Sequence, residues 1–421
     1  MKNTKVKAII KSIISVVCFL VLLAVCTYYV DRTLKDKGNY LKYKEFYEEE
    51  EPFDVLFFGS SRMLNGVYPM ELWDDFGLTT FNMAQHSEGT LVSYWQMKNA
   101  FHYNKPKVAV VDLTLLQDDK IMEHQEQERG YLHKALDHMP LSKIKYDALK
   151  DVTEGIDIGE YLFPLAMYHN RWNDLEEIDV YLELPQRKGA EARVGITKMY
   201  EAEWEGRTVA TSINTEMYRL DAMVELCEEE DVQLIFTLMP ATGMSELEAM
   251  GEIYNYLELY AQEHNIPFLN FEKDKGVVNY TTDFYDNSHL NPNGAKKVTY
   301  AIGEFLMDNY EFAPKSAKTQ AAWNQAWSDN LGAKLGEMIL HDDHENLNYY
   351  LLLVNDNTFC FDIKMPDVSY IEAFGAEDMF AELKLTKEDI IFDSTEDAVV
   401  VTVYDEETGA YFHSAKFIPK K

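Results

Sequence analysis

The amino-acid sequence predicts a doubly wound α/β fold, a three-layer parallel sheet with helices on both faces. Three observations predict it. Short, almost wholly apolar runs recur along the chain, the pattern of strands buried on both faces. Amphipathic stretches of helical period lie between them, and strand alternating with helix argues for a parallel sheet. The conspicuous polar motifs fall just past the apolar runs. That is where open α/β sheets bind ligands, outside the carboxyl ends of the strands.

The first apolar run is Phe53-Asp54-Val55-Leu56-Phe57-Phe58, followed by candidate strands at Thr79 to Asn82, Val108 to Leu113, Val232 to Met239 and Pro267 to Phe271. Glu216 to Glu230 and Glu246 to His264 carry helical periodicity. The stretch from about residue 117 to 212 interrupts the alternation and is too long for an ordinary connection. It reads as a partly helical insertion that shapes the cleft. After Tyr310 the pattern changes. Ala313-Pro314 marks a break, and Ala321 to Leu340 reads as a helix. Strand-like runs follow at Tyr349 to Val354, Thr358 to Ile363, Ala398 to Tyr404 and Tyr411 to Phe417. The turns Asn355-Asp356-Asn357 and Asp405 to Gly409 suggest hairpins in a small β-rich terminal domain.

The N-terminus is of another kind. Lys2, Lys5, Lys7 and Lys11 precede the run Ile13 to Val30, which contains no charged residue and is closed by Asp31-Arg32. It is long enough for one spanning helix, and the flanking lysines favour a cytoplasmic N-terminus with the remainder outside. A cleaved signal peptide is the competing reading. The length of the run and the lack of small residues in Tyr28-Tyr29-Val30 favour an uncleaved anchor. The expected organisation is a cytoplasmic tail over 1–12, an anchor over 13–30 and a charged stalk over 31–51. An α/β domain over 52–310, a helical linker over 311–345 and the β-rich domain over 346–421 complete it.

Composition sets outer limits. In 421 residues, 47% are hydrophobic and 13% aromatic, enough for a sizeable core. Asp plus Glu number 72 against 39 for Lys plus Arg, a formal net charge of −33. Such a surface repels phosphate backbones, so nucleic acid is not an expected partner. Of the four cysteines, Cys18 and Cys26 lie in the apolar run, and Cys227 and Cys360 are too far apart to read as a disulfide framework. No metal-ligand spacing and no Gly-rich phosphate loop occurs, and no cofactor is expected.

Two motifs carry chemistry. In Phe57-Phe58-Gly59-Ser60-Ser61-Arg62 a serine follows a glycine at the carboxyl end of a buried strand. A tight turn there exposes its hydroxyl, and the free N–H groups of the next helix start can bind a developing oxyanion. Most serines so placed only cap helices. In Asp283-Phe284-Tyr285-Asp286-Asn287-Ser288-His289-Leu290-Asn291-Pro292-Asn293-Gly294, Asp286 and His289 stand three apart. A carboxylate at that spacing can fix the imidazole tautomer and stabilise the imidazolium formed when the other ring nitrogen takes a proton. Alone, such a pair is more often a local cap. Asn291-Pro292 marks a helix start.

Taken together, the motifs resemble those of the SGNH (GDSL-like) hydrolase family over roughly Phe53 to Tyr310, the insertion excepted. Gly59-Ser60-Ser61 is similar to its first block, with Ser61 in the nucleophile position. Asp286 to His289 is similar to its last block, which supplies the acid and the base. Phe81-Asn82-Met83-Ala84 resembles the second block, with Ala84 in place of the usual glycine. The resemblance implies a flavodoxin-like SGNH fold, a Ser61–His289–Asp286 triad and an oxyanion hole built from Ser61, Ala84 and Asn82. The third-block asparagine is missing from Asp112-Leu113-Thr114-Leu115-Leu116-Gln117, where Thr114 and Gln117 are the candidate replacements. Gly-Ser-Ser behind an N-terminal anchor is closer to a surface branch that includes the teichoic-acid D-alanylation and exopolysaccharide O-acetylation proteins.

That branch implies an extracytoplasmic esterase or O-acyltransferase acting on acyl groups of cell-surface polysaccharide. Its partners would be the membrane, the acylated polysaccharide and a membrane-bound acyltransferase. The departures in the second and third blocks also suit an alternative, a non-catalytic glycan-binding or scaffold protein of a surface acylation complex. Arg62 beside the nucleophile, and His169, Arg171 and Trp172 within the insertion, are candidate substrate contacts, because aromatic faces stack on sugars and arginine binds anions. An aromatic-rich segment that packs the insertion onto the sheet is the competing reading of the last three.

Overall fold

In the computed structural model, five parallel strands form the central sheet. The structure describes residues 2–35, 37–116, 126–153, 158–163, 165–175, 179, 187–200, 208–216, 218–242, 244–274, 276–340, 359–365, 390–392, 399–405 and 411–417. The strands are β1 (Val55–Phe58), β2 (Thr80–Asn82), β3 (Val108–Asp112), β4 (Gln233–Leu238) and β5 (Phe268–Asn270). Their order is β2-β1-β3-β4-β5, parallel throughout. This is the flavodoxin-like order, whose switch point lies between β1 and β3.

Successive side chains along these strands serve opposite faces. Leu56 and Phe58 of β1, Ala109 and Val111 of β3, and Leu234, Phe236 and Leu238 of β4 join one apolar cluster. Val55, Phe57, Val108, Val110 and Ile235 join another on the reverse face. Strands apolar at every position therefore need helices on both sides, and the chain supplies them.

The first face is covered by α5 (Thr90–Tyr103), α10 (Leu220–Glu230) and α11 (Met244–Glu263), through residues such as Phe101, Met223 and Leu257. The second is covered by α3 (Ser61–Gly66), α4 (Pro69–Phe76) and α12 (Pro292–Asn309), through Met63, Leu72, Val298 and Ile302. Each large aliphatic side chain buried here contributes about 1.5–3 kcal/mol relative to exposure.

The insertion is helical in its first part, with α6 (Glu126–Leu136), α7 (Lys143–Val152), α8 (Gly159–Leu162), α9 (Leu165–Tyr168) and a 3-10 turn at His169–Asn173, whereas 187–200 is irregular chain. Leu132, Leu136, Leu149 and Tyr161 form its own core, closed onto Leu91 and Trp95 of α5. The insertion thus sits on a sheet-covering helix.

The N-terminal helix α1 runs Lys2–Leu34, and an 18-residue stretch within Ile9–Leu34 has a mean hydropathy of 2.8 and no buried residue. It is long and apolar enough to cross a membrane. The expected charged stalk is corrected. Residues 37–48 form helix α2 (Lys37–Glu48), whose Tyr43 and Phe46 are 2% and 1% exposed in the first apolar cluster. Helical spacing of its aromatics gives α2 an apolar stripe despite its charges, so it packs on the domain.

Beyond Tyr310, helix α13 (Ala317–Leu340) starts four residues before the expected boundary and buries Trp323 in the first cluster. A second sheet contains β6 (Phe359–Met365), β7 (Ile390–Phe392), β8 (Val399–Asp405) and β9 (Tyr411–Phe417), in the order β7-β6-β8-β9. The expected β8–β9 pairing is antiparallel, whereas β7, which sequence reading missed, pairs parallel with β6. The run Tyr349 to Val354 and the turn at 355–357 lie outside the described residues.

Candidate active site

Ser61 is presented by the turn that leaves β1. Gly59 sits at φ +138°, a conformation L side chains rarely adopt, and a Cβ there would lie 2.8 Å from the Asp112 Cβ. Ser60 takes the capping role, its Oγ accepting from the Arg62 N–H at 3.3 Å. Ser61 is left at the first position of α3, half-buried, with an N–H that has no acceptor within its own helix.

The histidine arrives from the far end of the domain. Asp286 and His289 occupy a turn, not a helix, pinched between Phe284 and Leu290, which form an isolated antiparallel bridge. Asp286 Oδ1 accepts from the N–H of Ser288 at 2.8 Å and of His289 at 2.9 Å, an Asx-type turn that sets the loop. Both carboxylate oxygens lie 2.9 Å from His289 Nδ1, and His289 Nε2 lies 2.8 Å from Ser61 Oγ. Thr242, after β4, holds the same loop by donating its N–H and hydroxyl to the Asn287 carbonyl, each at 3.0 Å. Asn291 caps α12 through the N–H groups of Asn293 and Gly294, with Pro292 at the first position.

Electrostatics favours a neutral imidazole on an ionised carboxylate. Burial lowers the His289 pKa below its ordinary value, Asp286 opposes this, and the charges of Arg193 and Arg62 lower it further. Burial alone would raise the Asp286 carboxyl, but the Ser288 N–H, the His289 ring and the His289 N–H hold it below the usual range. An imidazole free to accept, facing a serine hydroxyl, is the arrangement general-base activation requires.

The two other oxyanion candidates each have hydrogen-bond partners of their own. Ala84 is fully buried, and its N–H donates to Asn82 Oδ1 at 3.2 Å. The Asn82 amide donates to the carbonyls of Met63 and Val67 at 2.9 and 3.0 Å. Asn82 thus ties β2 to α3 and uses its own bonds to do so. Thr114 is also committed, its hydroxyl bonded to Asp112 and accepting from the Met239 N–H at 3.0 Å. Gln117 lies outside the described residues.

Arg62 follows Ser61 in α3. Its guanidinium lies 3.7 Å from Glu272 Oε1, at the end of β5. Burial pushes the Glu272 carboxyl up to about 8 although Arg62 lowers it, and burial also raises Asp112. Close contact alone would suggest an ion pair, but Glu272 has little water to sustain its charge.

Arg171 does not belong to the site. Its guanidinium donates to the carbonyls of Leu34 and Lys35 at 2.7 and 2.6 Å and grips Asp179 at 3.2 Å. His169 and Trp172 lie on the same exposed turn beside the end of α1. These three candidate substrate contacts are placed by the packing of the insertion against α1.

Sequence reading missed the segment over 187–199. Asn82 N–H donates to the Lys188 carbonyl at 2.9 Å, the Glu191 N–H to Leu64, and the Thr197 N–H to Phe284 at 2.8 Å. The segment thereby crosses from β2 to the histidine loop. It carries Arg193, whose Nε donates to Asn65 at 3.2 Å and whose guanidinium stacks 5.6 Å from the Tyr285 ring. Among the described residues Arg193 forms no ion pair. An arginine in a stretch without periodicity gives no signal in one sequence.

No protein-family model matches the chain, and no curated protein matches it. Among solved structures it is similar to a candidate acylhydrolase from Bacteroides fragilis, at 11% identity and a TM-score of 0.34, over 63% of this chain and 93% of that one. It is also similar to a GDSL-like lipase from Bacteroides thetaiotaomicron, at 12% identity and a TM-score of 0.35, over 65% and 100%. Neither likeness bears on which residues act.

Proposed function

We propose that this chain is a membrane-anchored, extracytoplasmic serine esterase or O-acyltransferase of SGNH type, acting on acyl esters of cell-surface polysaccharide. The observation that carries the reading is the continuous relay from Ser61 Oγ through the His289 ring to the Asp286 carboxylate, at 2.8 and 2.9 Å. His289 Nε2 takes the hydroxyl proton as Ser61 Oγ bonds to the ester carbonyl carbon. The Ser61 N–H faces the developing oxyanion, where one such donor is worth on the order of 10²–10³ in rate. The tetrahedral intermediate collapses, the sugar hydroxyl leaves with the proton from His289, and an acyl-Ser61 ester remains. Water then releases the free acid, or another sugar hydroxyl receives the acyl group, its proton passing to His289.

Two cations on a chain of net charge −33 support an anionic substrate: Arg62 and Arg193 both depress the His289 pKa and so lie close to it. An acylated glycan bearing phosphate or carboxylate suits that field, in keeping with the resemblance to teichoic-acid and exopolysaccharide acylation proteins. The helix α1 supplies the anchor, with lysines on its N-terminal flank holding that end in the cytoplasm.

A second reading has one observation in its favour. With Ala84 and Asn82 bonded to each other, the oxyanion pocket is short of backbone donors, which would suit a glycan-binding scaffold of a surface acylation complex. Labelling of the full chain with a fluorophosphonate separates the two. The enzyme reading expects labelling that Ser61→Ala abolishes and Ser60→Ala retains. Folded wild-type protein that takes no label fits the scaffold and overturns the enzyme.

A further inference from the structure

The turn that carries Trp172 has no part in the cleft, yet it is firmly held. Tyr161 anchors α8 in the insertion core at 0% exposure, and the Tyr168 hydroxyl bonds Asp137 Oδ2 at 3.2 Å. Arg171 locks the turn onto the carbonyls of Leu34 and Lys35 at the end of α1. From this rigid base large apolar side chains face outward: Phe163 is 69% exposed, Met167 41%, Trp172 66% and Leu175 43%. Neighbouring apolar side chains held out on a fixed base mark an interaction surface.

The attachment point says what covers it. The uncharged run of α1 ends at Val30, and Leu34 lies four residues further on. At about 1.5 Å per residue this is a rise of about 6 Å. The headgroup layer on each side of the hydrocarbon is about 5–7 Å deep. A turn bonded to the Leu34 carbonyl is therefore level with the headgroups, the depth at which tryptophan side chains collect. Tyr28 and Tyr29, 57% and 60% exposed on α1, stand about one and a half turns below Leu34.

We infer that α8, α9 and the following 3-10 turn form a membrane-contacting ledge whose Phe163, Met167 and Trp172 enter the outer headgroup layer and fix the height and tilt of the α/β domain. This rests on α1 being retained as an anchor. Two points of attachment, one helix and one ledge, hold a domain far more rigidly than a single helix can.

The test uses the full chain in phosphatidylcholine vesicles, with bromine placed high on the acyl chains in half of the samples. The Trp172 contribution is the difference in emission between wild type and Trp172→Phe. The ledge predicts that brominated lipid quenches this contribution and that aqueous iodide does not. A Phe163→Trp variant should gain a second lipid-quenched component. Trp172 emission lost to iodide and unchanged by brominated lipid overturns the ledge, provided alkaline carbonate leaves the protein in the membrane. Release by carbonate is a different failure: it removes the anchor, and the ledge with it.

Discussion

Replacing Asp286 by Asn perturbs one function of that side chain and preserves another. Oδ1 of Asp286 accepts the Ser288 and His289 N–H groups at 2.8 and 2.9 Å, and an amide oxygen can keep both bonds, so the loop should stay folded. Oδ2, 2.9 Å from Nδ1, becomes an NH₂ donor. Two donors cannot face each other, so the imidazole is driven to carry its proton on Nε2, the atom 2.8 Å from Ser61 Oγ. It then cannot accept the serine proton, and the carboxylate no longer stabilises an imidazolium. A loss on the order of 10³–10⁴ in kcat follows if the relay operates, about 4–5.5 kcal/mol of barrier. The assay is hydrolysis of a small activated ester, together with the rate of fluorophosphonate labelling and the thermal unfolding midpoint. A folded variant that keeps more than about a tenth of wild-type kcat would refute the role given to Asp286.

The remaining predictions touch charge, backbone and support. A base must be unprotonated, and burial holds the His289 pKa below its ordinary value, so kcat/KM should fall as the medium is acidified, with its half-loss below the pH at which an ordinary histidine titrates. Arg193→Gln removes one of the charges that lower this pKa. It should move the acid limb to higher pH on a neutral ester; an unmoved limb would count against Arg193 lying near the ring. Gly59→Ala forces a Cβ against Asp112 at φ +138° and should destabilise the domain by about 2–4 kcal/mol, read from urea unfolding. Asn82→Ala takes the side-chain partner from the buried Ala84 N–H and the Val67 carbonyl, while the Met63 carbonyl keeps the Val67 N–H. It should cost about 1–3 kcal/mol and slow Ser61 labelling; a fully stable variant would show that these bonds do not hold the turn.

The parallel sheet was legible in advance because a strand buried on both faces must be apolar at every position. Phe53 to Phe58 and Val108 to Leu113 admit few other uses. The same physics misled over α2. Its charges suggested a stalk, and only packing revealed that Tyr43 and Phe46 fall on one stripe against the core. The strand β7 was invisible because three residues pairing at a sheet edge leave almost no periodic trace.

Ser61, Asp286 and His289 were marked by residue type beside a strand end and a helix start, features local to a few positions. Local sequence could therefore nominate them and identify Asn291-Pro292 as the helix start. It could not bring Ser61 and His289, 228 residues apart, within a hydrogen bond. Nor could it tell that Arg171 grips the end of α1 while Arg193 stands over Tyr285, since both are arginines in stretches without pattern. Which donor is free also depends on neighbours. Ala84 offers an N–H in any sequence, and only the folded position of Asn82 consumes it. Backbone preference and hydrophobic period act between residues close along the chain, so they set the elements and the candidate chemistry. Charge, burial and hydrogen-bond partnership act between residues close in space, so the cleft and its spare donors came only from the tertiary fold.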